Sequence, residues 1–287
     1  MHRFIDMRLR PPIPEWVSGP TFKTAMYYPR HVANFRGARS AWMESMDMLL
    51  EEMTSTGTKY GVVMGRAAAG NLGGVANSAI VNTTRRWPDR FVGFLGVDCE
   101  NIASTLAEVR ELAREPGVRG VSIEPGSSQT ARLADDAALT PIYEACIDLK
   151  LPVSISLSGL LSALAGHDMS WCHPIPVQRV AMRHPELTII VSHAAWPYAD
   201  LMTSIALTCP NIYVSPDVYI ATRSMPCANI YVDAANCYLG DRTLYGTAYP
   251  TQNLEEGTRA FLGMGWDPDV VDKVAYANAA RLLGLPV

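Results

Sequence analysis

Residues 184–202, HPELTIIVSHAAWPYADLM, spell out one strand–helix unit. Pro185 follows a helical stretch (173–183), and its ring and missing N–H end helical bonding there. The next run, LTIIVSH (187–193), is short and rich in β-branched residues, which predicts a strand. Beyond Trp196 and Pro197 the apolar spacing predicts a helix over 198–208. A strand this apolar needs parallel neighbours and helices to cover both of its faces.

The unit recurs along the chain. Further strands are predicted at RFIDMRL (3–9), KYGVVMGR (59–66), FVGFLGV (91–97), VRGVSIE (118–124), PVSISLS (152–158), NIYVSPD (211–217) and RTLYG (242–246). Further helices are predicted over 41–56, 75–86, 101–115, 136–149, 227–238, 252–263 and 267–284. Strands alternating with helices imply parallel pairing through right-handed crossovers. Eight such units in 287 residues close into a (β/α)8 TIM barrel of the α/β class, a single domain over 1–287. A doubly wound sheet is the rival, weakened because no GxGxxG or Walker A motif follows the first strand. Residues 11–40 exceed what a minimal barrel needs. A long, proline- and aromatic-rich loop after strand 1 is expected to be a lid or an oligomer contact.

Composition bounds the partners. The chain is 48% hydrophobic and 18% charged, which fits a large core, and its net charge of −4 gives no reason to expect nucleic acid or an anionic membrane. An anion site must therefore be local. No apolar run approaches the roughly 20 residues of a membrane span, and no signal-like segment precedes MHRFIDM. The six cysteines form no CxxC pair, as free thiols in a reducing compartment would. A soluble, cytoplasmic protein is the expectation, and a homodimer is compatible with such a barrel.

Reactive groups of a TIM barrel sit at the C-terminal ends of its strands. Those ends carry Arg8 and Arg10 (strand 1), Arg66 (strand 2), Glu124 (strand 4), Ser156 (strand 5), His193 (strand 6) and Asp217 (strand 7). Thr247, Ala248 and Tyr249 follow strand 8, and Trp196 follows strand 6.

Several stretches carry a family likeness. IDMRLR stands against an IDxHxH pattern, LPVSIS against LPVxIH, and HPELTIIVSHAAWPYADLM against HPxLxxVLxHxGxPW. DRTLYGTAYP matches DRxLFGSDYP, and ANAARLLGL matches an NAxRLLGL ending. Through them the chain resembles the amidohydrolase superfamily, in its amidohydrolase-related branch of decarboxylases and hydratases. Within that branch it is similar to a divergent subgroup with an RxRPP opening and a GTAYP ending. The resemblance implies the barrel and a metal held by two histidines of strand 1, one each of strands 5 and 6, and an aspartate of strand 8. Here those positions read Arg8, Arg10, Ser156, His193 and Ala248. Guanidinium has no lone pair to donate, so neither a metal nor another cofactor is expected.

Two readings stand beside each residue. Arg8, Arg10 and Arg66 bind a substrate carboxylate or phosphate, or Glu124 and Asp217 neutralise them in a structural network. His193, oriented by Asp217, moves a proton, or it is a satisfied core histidine. Ser156 either completes a Ser–His–Asp relay as nucleophile or fills the space of a lost ligand. Trp196 and Tyr249 wall the pocket or pack the rim. His173 is assigned to a helix start.

The leading expectation is a metal-independent hydrolase for a small carboxylated, lactone-like molecule. The alternatives are a decarboxylase on the same scaffold, an inactive binding or regulatory barrel, and a metal regained through His193, Asp217 and Glu124.

Overall fold

The computed structural model describes residues 2–20, 22–23, 35–67 and 72–287. Seven strands form one parallel sheet in chain order: β1 (Phe4–Leu9), β2 (Thr58–Met64), β3 (Phe91–Gly96), β4 (Val118–Ile123), β5 (Val153–Ser158), β6 (Ile189–Trp196) and β7 (Ile212–Ser215). Helices between them cover the outer face, among them Asn77–Arg86, Ile102–Leu112, Thr140–Leu149, Ile175–Arg183 and Ala199–Thr208. This is the expected α/β barrel.

The predicted strand over 242–246 is the exception. It forms no regular strand, yet it laces β7 to β1. Val214 N donates to Arg242 O (2.9 Å), Leu244 N to Val214 O (2.9 Å), Met7 N to Tyr245 O (3.0 Å) and Arg10 N to Tyr249 O (3.1 Å). Regular pairing fails because the chain must bend here. A Cβ on Gly246 would lie 2.8 Å from Asp217 Oδ1, and Ala248 adopts a left-handed φ of +56°.

A buried side chain takes over where the ladder stops. Asp6 Oδ1 accepts from the backbone N–H groups of Thr247 (3.0 Å) and Arg8 (3.0 Å), and Oδ2 accepts from the Thr247 hydroxyl. Burial pushes the Asp6 carboxyl up to about 7, while these three donors pull it back.

The predicted helix over 41–56 is two helices, Arg39–Trp42 and Met46–Thr56. Glu44 (φ +50°) divides them, and the Ser45 side chain caps the second by accepting from Met48 N (3.3 Å). A short helix not expected from the sequence, Gly159–Leu164, follows β5, with the Ser158 hydroxyl accepting from Leu161 N.

The described part of 11–40 packs onto the wall of β1 to β3. Ile13, Trp16 and Phe22 share a buried cluster with Leu9, Val63 and Phe91. Residues 24–34 lie outside the described residues, as does that part of the expected lid. Among the described residues no helix is long and apolar enough to cross a membrane.

Thr247→Val removes one donor from a sealed carboxylate at the seam. It is expected to cost about 1–3 kcal/mol, read as a lower urea midpoint with an unchanged slope.

Candidate active site at the barrel mouth

Arg8, Arg10, Arg66, Glu124, Ser156, His193 and Asp217 come from six strand ends, and all are buried. Arg8 is fully sealed and fully engaged. Its Nε donates to Asp217 Oδ2 (3.1 Å), Nη1 to Glu124 Oε1 (3.3 Å) and Nη2 to Ser156 Oγ (2.7 Å). One guanidinium thus ties β1 to β4, β5 and the end of β7. Glu124 also receives Arg10 Nη2 at Oε1 (3.4 Å) and Arg66 Nε at Oε2.

Arg10 stands differently. It is 5% exposed, its contact with Glu124 is long, and its Nε has no hydrogen-bond partner. Its Cζ sits 5.4 Å over the ring of Trp16. Burial, then the charges of Arg66 and Arg8, push Arg10 well below the ordinary guanidinium value. Three guanidinium groups face two carboxylates, so the cluster holds a positive surplus, and Arg10 carries it. Burial alone would raise the Glu124 carboxyl, but Arg66, Arg8 and Arg10 outweigh it and hold Glu124 below its usual range. Burial raises Asp217, against the pull of Arg8 and of the Ser215 hydroxyl.

His193 is held through its backbone rather than its ring. Its amide donates to Asp217 Oδ2 (3.1 Å). Nδ1 lies 3.5 Å from that oxygen and makes no hydrogen bond. Burial first, then Arg8, Arg10 and Arg66, push the imidazole well below 6.5, so it is neutral at physiological pH. His193, Ala194 and Ala195 have φ values of +62°, +45° and +56°, and Asp217 has +54°. Left-handed backbone costs a non-glycine residue roughly 1–2 kcal/mol, and here it gathers at the ends of β6 and β7.

The remaining candidates separate. No hydrogen bond joins Ser156 to His193 among the described residues, and the Ser156 hydroxyl is turned to Arg8. Tyr249 points away from the cluster: its hydroxyl bonds Ser40 Oγ (2.8 Å), which is also bound to Glu52. Trp196 stacks on Tyr219 at 4.8 Å and 15°, and its indole donates to Pro226 O (3.0 Å). Tyr219, whose ring is 6.0 Å from His193, is a wall residue that sequence reading missed. Asp6 and Trp16 were missed as well. His173 accepts from Ile175 N (3.3 Å) at a helix start.

These residues do not fit a metal. Two of the five expected ligand positions hold arginine, and the alternative set of His193, Asp217 and Glu124 has the Arg8 guanidinium between its two carboxylates. No group of three histidine, cysteine, aspartate or glutamate side chains among the described residues could hold an ion.

A parallel barrel with polar side chains converging at its C-terminal face belongs to the enzyme-bearing TIM barrels. The sequence profile of the amidohydrolase family matches residues 33–285, and the chain belongs to that family. An uncharacterized TIM-barrel protein from Bordetella bronchiseptica is similar over 98% of both chains, at 33% identity and a TM-score of 0.88. The fold is also that of 5-carboxyvanillate decarboxylase from Sphingomonas paucimobilis (17% identity, 100% of both chains, TM-score 0.69). It is shared by 4-oxalomesaconate hydratase from Rhodopseudomonas palustris (16% identity, 98% of this chain and 95% of that one, TM-score 0.65). No curated protein matches the chain.

The cluster sets up a contrast between two arginines. Arg8→Met strips counter-charge from two sealed carboxylates and is expected to cost about 3–5 kcal/mol. Arg10→Met removes the surplus and should leave the melting temperature unchanged or higher. Calorimetry of the two variants checks both.

Proposed function

We propose that this barrel is a hydrolase that opens a small carboxylated, lactone-like organic molecule without a metal. The observation that carries the reading is the buried positive surplus at Arg10. A buried cation without its own carboxylate is costly, and a ligand carboxylate or a developing oxyanion offsets that cost.

In ester or lactone hydrolysis, negative charge grows on the carbonyl oxygen as water attacks the carbon. Guanidinium groups already desolvated there hold the transition state more strongly than the ground state, which is the condition for rate enhancement. Arg10 and Arg66 would receive the substrate's carboxylate or this oxyanion, and Arg8, fixed by Asp217, Glu124 and Ser156, would position them. Neutral His193 takes a proton from the attacking water at a ring nitrogen and returns it to the leaving oxygen. Asp217 keeps the β6 end in place through the His193 amide. Trp196 on Tyr219 supplies a flat wall beside the imidazole.

Decarboxylation is the second reading, favoured by the fold neighbour that acts on 5-carboxyvanillate. It would use the same arginines and the same proton carrier. A carboxylate held against guanidinium is stabilised before it leaves as carbon dioxide, which opposes that reaction.

Enzyme dialysed against a strong chelator is expected to retain turnover on a panel of carboxylated lactones and hydroxybenzoates, and Arg10→Met to lose at least 100-fold in kcat/KM, consistent with a charge-assisted contact of about 3 kcal/mol. The acid limb should lie well below 6.5, because protonation inactivates the base and burial first, then Arg8, Arg10 and Arg66, oppose it, with Asp217 the nearest counter-charge. Activity restored only by added zinc or manganese overturns the reading. Carboxylate binding with no turnover on any substrate of the panel points to the inactive barrel instead.

A further inference from the structure

Two buried N–H donors at the exit of β1 have no acceptor. One is Arg10 Nε, and the other is Trp16 Nε1, on a side chain only 1% exposed. A buried donor left unmatched costs roughly 1–3 kcal/mol, so two of them on packed neighbours call for an explanation. The Arg10 guanidinium lies 5.4 Å over the Trp16 ring, so the two donors belong to neighbouring side chains in direct cation–π contact.

The local sequence makes Trp16 rigid. Arg10 leads into Pro11, Pro12, Ile13 and Pro14, and proline fixes φ at each of its three positions. Pro14 opens a one-turn helix, Pro14–Val17, in which Trp16 N donates to Ile13 O (3.0 Å). Trp16 is packed with Ile13, Phe22 and Leu9, an apolar setting that offers the indole N–H no partner of its own.

We infer that Trp16, from the segment after β1, is a substrate-positioning residue whose indole N–H joins Arg10 in holding one carboxylate of the ligand. The inference rests on the carboxylate reading above and deepens it by naming a second donor. A carboxylate has two oxygens with lone pairs in one plane, enough to accept from the guanidinium and the indole together. It also matches the charge, because the surplus of three guanidinium groups over two carboxylates is met by a monoanion. A second negative charge at the same donors would go uncompensated. The stack of guanidinium on indole keeps the two donors in register while the site is open.

The test uses the full chain labelled with 15N at tryptophan and benzoate as the probe. Addition of benzoate is expected to move the Trp16 indole N–H resonance downfield, as formation of a hydrogen bond does. Trp16→Phe, which keeps a ring and deletes the N–H, should weaken benzoate binding about tenfold by calorimetric titration, near the low end for a hydrogen bond to a charged group. Arg10→Met should abolish it. Through-bond assignment identifies the Trp16 resonance even if the phenylalanine variant does not fold. Benzoate that binds wild type and not Arg10→Met, with an unmoved Trp16 resonance, overturns the role of Trp16 and leaves the carboxylate site standing. Benzoate that binds wild type and Arg10→Met equally, or binds neither, removes the carboxylate site and this inference with it.

Discussion

The mouth of this barrel is organised by one side chain. Arg8 donates to Asp217, Glu124 and Ser156 from three different nitrogens, and so draws β1, β4, β5 and the end of β7 to a common centre. Where the family resemblance implies a metal bound by strands 1, 5, 6 and 8, this chain has an arginine performing the cross-barrel tie. The substitution reverses the chemistry of the centre. A bound ion collects lone pairs, whereas a guanidinium supplies protons and collects carboxylates. Glu124 and Asp217 are therefore companions of Arg8, and their positions follow from it.

Arg10 and Arg8 are two residues apart on one strand, yet their situations diverge. Arg8 is matched on every nitrogen, while Arg10 has one long contact and an orphaned Nε. The structural reading of these arginines thus describes Arg8 well, and the binding reading suits Arg10. The left-handed backbone at His193, Ala194, Ala195, Asp217 and Ala248 points the same way. Strain costs stability, and five of the nine described non-glycine residues with left-handed φ stand around the mouth, the others being Glu44, Lys150, Ser224 and Cys227. The imidazole is aimed by that backbone, which leaves its ring nitrogen unengaged.

The strands were legible because their signals are local. LTIIVSH and VRGVSIE are short β-branched runs closed by a charged or titratable residue, and each lies within three residues of its strand at either end. The eighth segment was misjudged as a regular strand. RTLYG has the composition of one, but its pairing is decided by Gly246 and by the carboxylates of Asp6 and Asp217 arriving from far along the chain. The convergence of Arg8, Glu124, Ser156, His193 and Asp217 at one level followed from the barrel rule applied to strand ends. The pairing of individual groups did not, since nothing in the sequence says which arginine a glutamate will choose. Trp16 escaped notice for a related reason: a tryptophan in a proline-rich excursion reads as packing, and its orphaned N–H shows only in three dimensions.

Glu124 carries a consequence for acid tolerance. In a centre built from histidine ligands, protons compete with the ion as the solution approaches the imidazole range, and the assembly falls apart there. On its Glu124 side the knot around Arg8 has no such competitor, whereas burial raises the Asp217 carboxyl and leaves that side open to protons. Guanidinium does not exchange its charge, and Glu124 stays ionised below the ordinary carboxylate range because three arginines surround it. Its clasp on three arginines therefore outlasts the pH at which an imidazole cage would already have let go.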